Sequence, residues 1–81
     1  MSRKTTMIAA IREAIDEEML RDENVIVLGE DIGELGGPFG SCIGLLDKYG
    51  PDRIIATPIS EWGFTGICVG AAVRGMRPIA E

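Results

Sequence analysis

Apolar residues at Ile8, Ile11, Ile15 and Met19 recur every three or four positions, while Arg12, Glu13, Asp16 and Glu17 fall between them. That spacing predicts an amphipathic helix over about Met7–Arg21 with one face in a core, and Thr5 or Thr6 is placed to cap it. Asp22, Glu23 and Asn24 break the period, and residues 25–28 form an unbroken, β-branched-rich apolar run. Such a run suits a strand covered on both faces, which implies a parallel sheet.

Residues 29–40 hold five glycines and a proline, a composition for a long loop at the carboxyl end of that strand. A short helix near residues 43–49 follows, stopped by Gly50 and Pro51, and residues 53–56 read as a second strand. Residues 57–60 then make a second loop on the same edge, and a helix over residues 61–74 leads to a third strand beginning near Arg77. The last helix is built from small residues, Gly63, Thr65, Gly66, Cys68, Gly70, Ala71 and Ala72. Mid-helix glycine costs about 1 kcal/mol, so a close neighbour is expected to compensate, either this domain's own sheet or another subunit. Helix and strand alternate throughout, so the fold class is α/β with a parallel sheet. The pattern reads as incomplete, and residues 1–81 are expected to be a piece of a longer polypeptide.

Thirteen acidic residues against eight basic ones give a net charge of −5, with most acids in residues 13–34. No basic stripe exists to neutralise phosphates, which argues against nucleic-acid binding and against anionic membrane surfaces. No uncharged run is long enough to span a bilayer, and charges interrupt any signal-peptide core, so a soluble, cytoplasmic protein is expected. Cys42 and Cys68 lie 26 positions apart with no CxxC pattern and no histidine in the chain; they read as reduced, buried thiols.

The glycine spacing fits neither a dinucleotide fingerprint nor a P-loop, and the absence of histidine removes Ser–His and Cys–His catalysis. Carboxylates remain. Glu61 follows Ser60, a candidate N-cap, where a loop enters a helix. Ile59, Trp62 and Phe64 flank it, so partial desolvation is expected to raise its pKa while the helix terminus pulls the other way. Either a routine helix-stabilising acid or a proton-exchanging group fits that position. Glu30 follows the first strand; with parallel neighbouring strands it leaves the sheet at the same edge, where open α/β sheets bind ligands, and two acids can converge there.

The segments Arg12-Glu13-Ala14-Ile15, Val27-Leu28-Gly29-Glu30-Asp31, Gly44-Leu45-Leu46 before Lys48-Tyr49-Gly50-Pro51, and Thr57-Pro58-Ile59-Ser60-Glu61-x-Gly63-Phe64 occur in order, followed by Gly70-Ala71-Ala72-x-x-Gly75-x-Arg77-Pro78. Together they resemble the amino-terminal, pyrimidine-binding part of the beta subunit of thiamine diphosphate-dependent 2-oxo acid dehydrogenases. The resemblance implies that Glu61 bonds the ring nitrogen of the cofactor's aminopyrimidine and promotes its imino tautomer, with Glu30 and Ile59 beside the cofactor. It also implies that a partner alpha subunit supplies the diphosphate and magnesium site, and that a heterotetramer passes the acyl unit from a 2-oxo acid to the lipoyl group of an acyltransferase. These 81 residues alone are expected to be inactive. Two positions depart from the common pattern: Ala56, where many members have Asp, and the large Trp62, which bears on the pocket or on a subunit contact. The alternative is a non-catalytic assembly module that folds on a partner subunit.

Overall fold

The computed structural model describes residues 4–33, 36–37, 40–58 and 60–81. Helix α1 runs Met7–Arg21, as the apolar period requires. Thr6 caps it: its side-chain oxygen accepts the amide of Ala9 at 3.1 Å. Ile15 and Met19 are buried, whereas Ile11 is 40% exposed, so only the second half of the apolar stripe is covered within this chain.

Strand β1, Val25–Glu30, is buried from Val25 to Gly29. It extends two residues past the apolar run, so Glu30 is its last residue and not part of the following loop, a correction to the sequence reading. Gly29 and Glu30 belong to the sheet because they pair with Ala56 and Thr57; on the other side a Cβ at Gly29 would stand 2.7 Å from the Cβ of Glu81. Helix α2 spans Leu45–Tyr49, starting later than expected because Gly44 adopts φ +81. Strand β2 is Ile54–Thr57, helix α3 Glu61–Val73 and strand β3 Arg77–Ala80.

All three strands are parallel in the order β2-β1-β3, with Val27 opposite Ile54 and Ile79, and Glu30 opposite Thr57. Alternation along β1 separates two cores. Val25 and Val27 join Ile15, Met19, Leu45 and Ile54 on the α1/α2 face, while Ile26 and Leu28 pack with Cys68 of α3 on the other. The parallel sheet covered on both faces is therefore as the unbroken apolar run predicts.

Arg53 was expected to open β2 but sits in the turn before it. Its guanidinium donates to the carbonyls of Met19, Asp22 and Val25, with Nη2 at 2.9 Å from each, and lies 5.0 Å over the Tyr49 ring. A cation on the last carbonyls of α1 suits the helix dipole. The same contact ties the end of α1 to the starts of β1 and β2.

Cys42 and Cys68 are free, buried thiols, each pushed above the usual thiol range by burial. No helix among the described residues is long and apolar enough to cross a membrane.

Candidate functional site

Three strands deliver three acids to one edge of the sheet. Glu30 ends β1, Glu61 opens α3 after the β2–α3 loop, and Glu81 directly follows β3. Glu30 shares the α3 face of the sheet, because it follows the alternation of Ile26 and Leu28. Its side chain there meets that of Glu61, within hydrogen-bonding reach. The convergence expected from parallel strands is thus present. Glu30's carboxyl is held above the usual carboxylate range, first by loss of hydration, then by the neighbouring Glu61 charge and the hydrogen bond with Glu61.

Glu61 is not enclosed as the sequence reading expected. It is exposed, and Trp62 beside it is 96% exposed, pointing away from the core, whereas Phe64 is buried. Alternation fails as a guide here because residues 61 and 62 begin a helix whose buried stripe starts at Phe64 and continues at Cys68. Ser60 occupies the N-cap position, yet its hydroxyl makes no capping bond, a second correction. Its backbone is in a non-helical conformation, φ −165 and ψ 80, and its carbonyl accepts Phe64 N at 3.0 Å. Ile59 lies outside the described residues.

Beside Glu30 in the sheet stands a group that sequence reasoning missed. Thr57 is opposite Glu30 in the sheet, and its Oγ1 is buried with no hydrogen-bond partner. An orphaned hydroxyl beside paired carboxyls is costly within the chain and suits a polar ligand. The signal was visible in principle, since Thr57 ends an apolar strand at the ligand-binding edge.

Beyond β1 the chain turns at Asp31, whose φ is +55, the one positive value for a non-glycine among the described residues. Asp31 O accepts Gly37 N at 2.7 Å and Gly36 O accepts Cys42 N at 2.8 Å, which ties Gly36 and Gly37 to both Asp31 and Cys42. Ser41 is buried there, and its hydroxyl donates to Glu81 at 2.6 Å.

The outer face of α3 is open. A Cβ at Gly66 or Gly70 would meet nothing within 4 Å, so the sheet of this domain is not what selects these glycines. Trp62, Val69 and Val73 are exposed along the helix, and Glu61, Trp62, Thr65, Gly66 and Val69 line a shallow, mainly apolar groove. Among the described residues no cluster of three or more potential ligands is placed to hold a metal ion.

Residues 3–81 match the family model described as "Transketolase, pyrimidine binding domain". The chain is 51% identical over 80 residues to the mitochondrial pyruvate dehydrogenase E1 component subunit beta-1 of Oryza sativa subsp. japonica, covering 99% of this chain and 21% of the rice protein. It is 51% identical over 80 residues to the corresponding mitochondrial beta subunit of Dictyostelium discoideum, covering 99% of this chain and 22% of that protein. Over 76 residues it is 50% identical to the beta subunit of Rickettsia bellii, covering 94% and 23% of the two chains. The chain therefore spans about a fifth of the length of the curated relatives it matches. An α/β fold with an open parallel sheet, acids gathered at its carboxyl edge and a family match over almost every residue agree: the chain belongs to the family of transketolase pyrimidine-binding domains.

Proposed function

We propose that this chain is the amino-terminal part of a beta-type subunit of a thiamine diphosphate-dependent 2-oxo acid dehydrogenase, and that it holds and activates the cofactor's aminopyrimidine. The observation that carries this reading is the meeting of Glu30, at the end of β1, and Glu61, at the start of α3, at the carboxyl edge of a parallel sheet, where lost hydration and then Glu61 hold the Glu30 carboxyl above its ordinary range. The residues fit such a ring. Glu61 at the start of α3 would accept or share a proton at a ring nitrogen, Glu30 would take the adjacent polar edge, and Ile59 would lie against the ring face. The unpartnered Thr57 hydroxyl offers one more polar contact. When bound, thiamine diphosphate supplies a carbon acid whose anion attacks the 2-oxo acid and allows loss of carbon dioxide.

The protein's share of that chemistry is orientation and proton placement. Glu61 is set by a helix start and Glu30 by a strand end, so both carboxyls ride on regular elements and not on the loop between them. Exposure of Glu61 in this chain leaves room for the ring on one side and for a covering subunit on the other. An alpha subunit carrying the diphosphate and magnesium site, a second beta subunit, and a lipoyl acyltransferase that receives the acyl unit complete the proposed assembly. The open α3 face, with Gly66 and Gly70 uncrowded and Trp62 exposed, supports a subunit contact there.

The same open face would also serve a non-catalytic assembly module. Titration of thiamine diphosphate and magnesium into the protein, with and without an alpha subunit, separates the two: a rise in melting temperature that needs both cofactor and partner supports the catalytic reading. No cofactor-dependent rise in the presence of the partner supports the module.

A further inference from the structure

We propose that Glu81 is a positioning residue of the pyrimidine site: by accepting the buried Ser41 hydroxyl it clamps Ser41 to the sheet edge and, through the bonds from Cys42 to Gly36 and from Gly37 to Asp31, fixes the turn that aims Glu30. The inference rests on the reading above and deepens it. Glu81 continues β3, its amide donating to Leu28 O at 2.8 Å, so its backbone is fixed by the sheet. Its side chain lies against Gly29, the residue before Glu30, close enough that a Cβ on Gly29 would stand 2.7 Å from the Cβ of Glu81. The carboxylate then receives Ser41 Oγ at 2.6 Å, a contact across 40 positions of sequence.

Directly after Glu30 the chain turns through Asp31 at φ +55. Left-handed geometry in a residue other than glycine persists when its surroundings hold it. The bonds from Gly37 N to Asp31 O and from Cys42 N to Gly36 O tie Asp31, Gly36, Gly37 and Cys42 together, while Ser41 is held to the sheet edge by Glu81. Glu81 lies on the α1/α2 face, opposite to Glu30, so it acts through the turn and not by touching the ligand. A charge-assisted bond at a buried hydroxyl is strong enough to set such a turn.

The test uses the full-length subunit assembled with its alpha partner, and calorimetry with thiamine diphosphate and, separately, inorganic diphosphate. Ser41→Ala and Glu81→Ala are each expected to weaken thiamine diphosphate about tenfold, the scale of one charge-assisted hydrogen bond. The double variant is expected to lose no more than either single one, because both remove the same contact. Glu81→Gln, whose amide oxygen still accepts the Ser41 hydroxyl, is expected to stay within about twofold of the parent. Affinity for inorganic diphosphate, which does not engage the pyrimidine, is expected to be unchanged in every variant. Unaltered thiamine diphosphate affinity in Ser41→Ala, a roughly hundredfold loss in the double variant, or a parallel loss of inorganic diphosphate would each overturn the clamp. Should Glu81→Ala fail to fold, Ser41→Ala removes a single oxygen and carries the test. A Glu61→Gln variant run alongside separates the levels: full turnover there overturns the functional reading, whereas an inactive Glu61→Gln with additive Ser41 and Glu81 effects overturns the clamp alone.

Discussion

Replacing Arg53 by alanine should loosen the end of the molecule opposite the candidate site. The guanidinium donates to three main-chain carbonyls, Met19 O, Asp22 O and Val25 O, and its Nε adds a second bond to Val25 O at 3.2 Å. Hydrogen bonds from a charged donor contribute about 1.5–3 kcal/mol each when buried. Arg53 is only half-buried, so water replaces part of what is lost, and the three acceptors together should yield about 2–4 kcal/mol. For a unit of this size that is a fall in melting midpoint of roughly 10–25 °C. Arg53→Lys should recover less than half, since an ammonium cannot span three carbonyls as a planar fork does. Urea unfolding of parent and variants, read as a change in midpoint at constant slope, measures the effect. The functional consequence lies at the far end of the strands, because Arg53 sets the start of β2 beside β1 and the register carries through to Glu30 opposite Thr57. A loss below about 0.5 kcal/mol for Arg53→Ala, within the range of an ordinary surface substitution, would refute the reasoning.

Glu30→Gln removes a carboxyl whose proton affinity is raised in the folded state, by lost hydration and then by Glu61. Such a group opposes folding as pH rises from its unfolded to its folded pKa, so the variant should gain thermal stability at pH 7 and lose the decline above the ordinary carboxylate range; melts from pH 4 to 8 check both. Gly29→Ala puts a Cβ 2.7 Å from Glu81 Cβ and 3.0 Å from Glu81 O, which should cost about 1–3 kcal/mol by denaturant unfolding, with β3 displaced. A Cβ at Gly66 would meet nothing within 4 Å, so Gly66→Leu should fold normally yet fail to assemble with partner subunits in size-exclusion chromatography.

The first helix, the parallel sheet and the acids at one edge were legible because each rests on a local period: 3.6 residues for Met7–Arg21, an unbroken apolar run for β1, and glycine- or proline-rich stops between elements. Other features were not. The strand character of Gly29 and Glu30 comes from pairing with Ala56 and Thr57 of β2, 27 residues away in sequence. Ser60 has the right residue type for a cap, but its ψ of 80 leaves the hydroxyl without a capping bond, and dihedral angles are not written in a residue's identity. Trp62 looked like a wall of the site from its apolarity alone; the helix phase, set by Phe64 and Cys68, turns it outward. The partner choices of Arg53 and Glu81 were hidden for the same reason as Gly29, since each joins segments far apart in the chain.

The measurement that bears most directly on the central claim is hydrogen–deuterium exchange at the reactive carbon of thiamine diphosphate bound to the full-length subunit with its alpha partner, compared between the parent and Glu61→Gln. If Glu61 places the proton on the aminopyrimidine, exchange in the variant slows roughly a hundred- to ten-thousand-fold, the scale of general acid–base catalysis. Exchange at the parent's rate in a variant that still binds the cofactor would contradict the account.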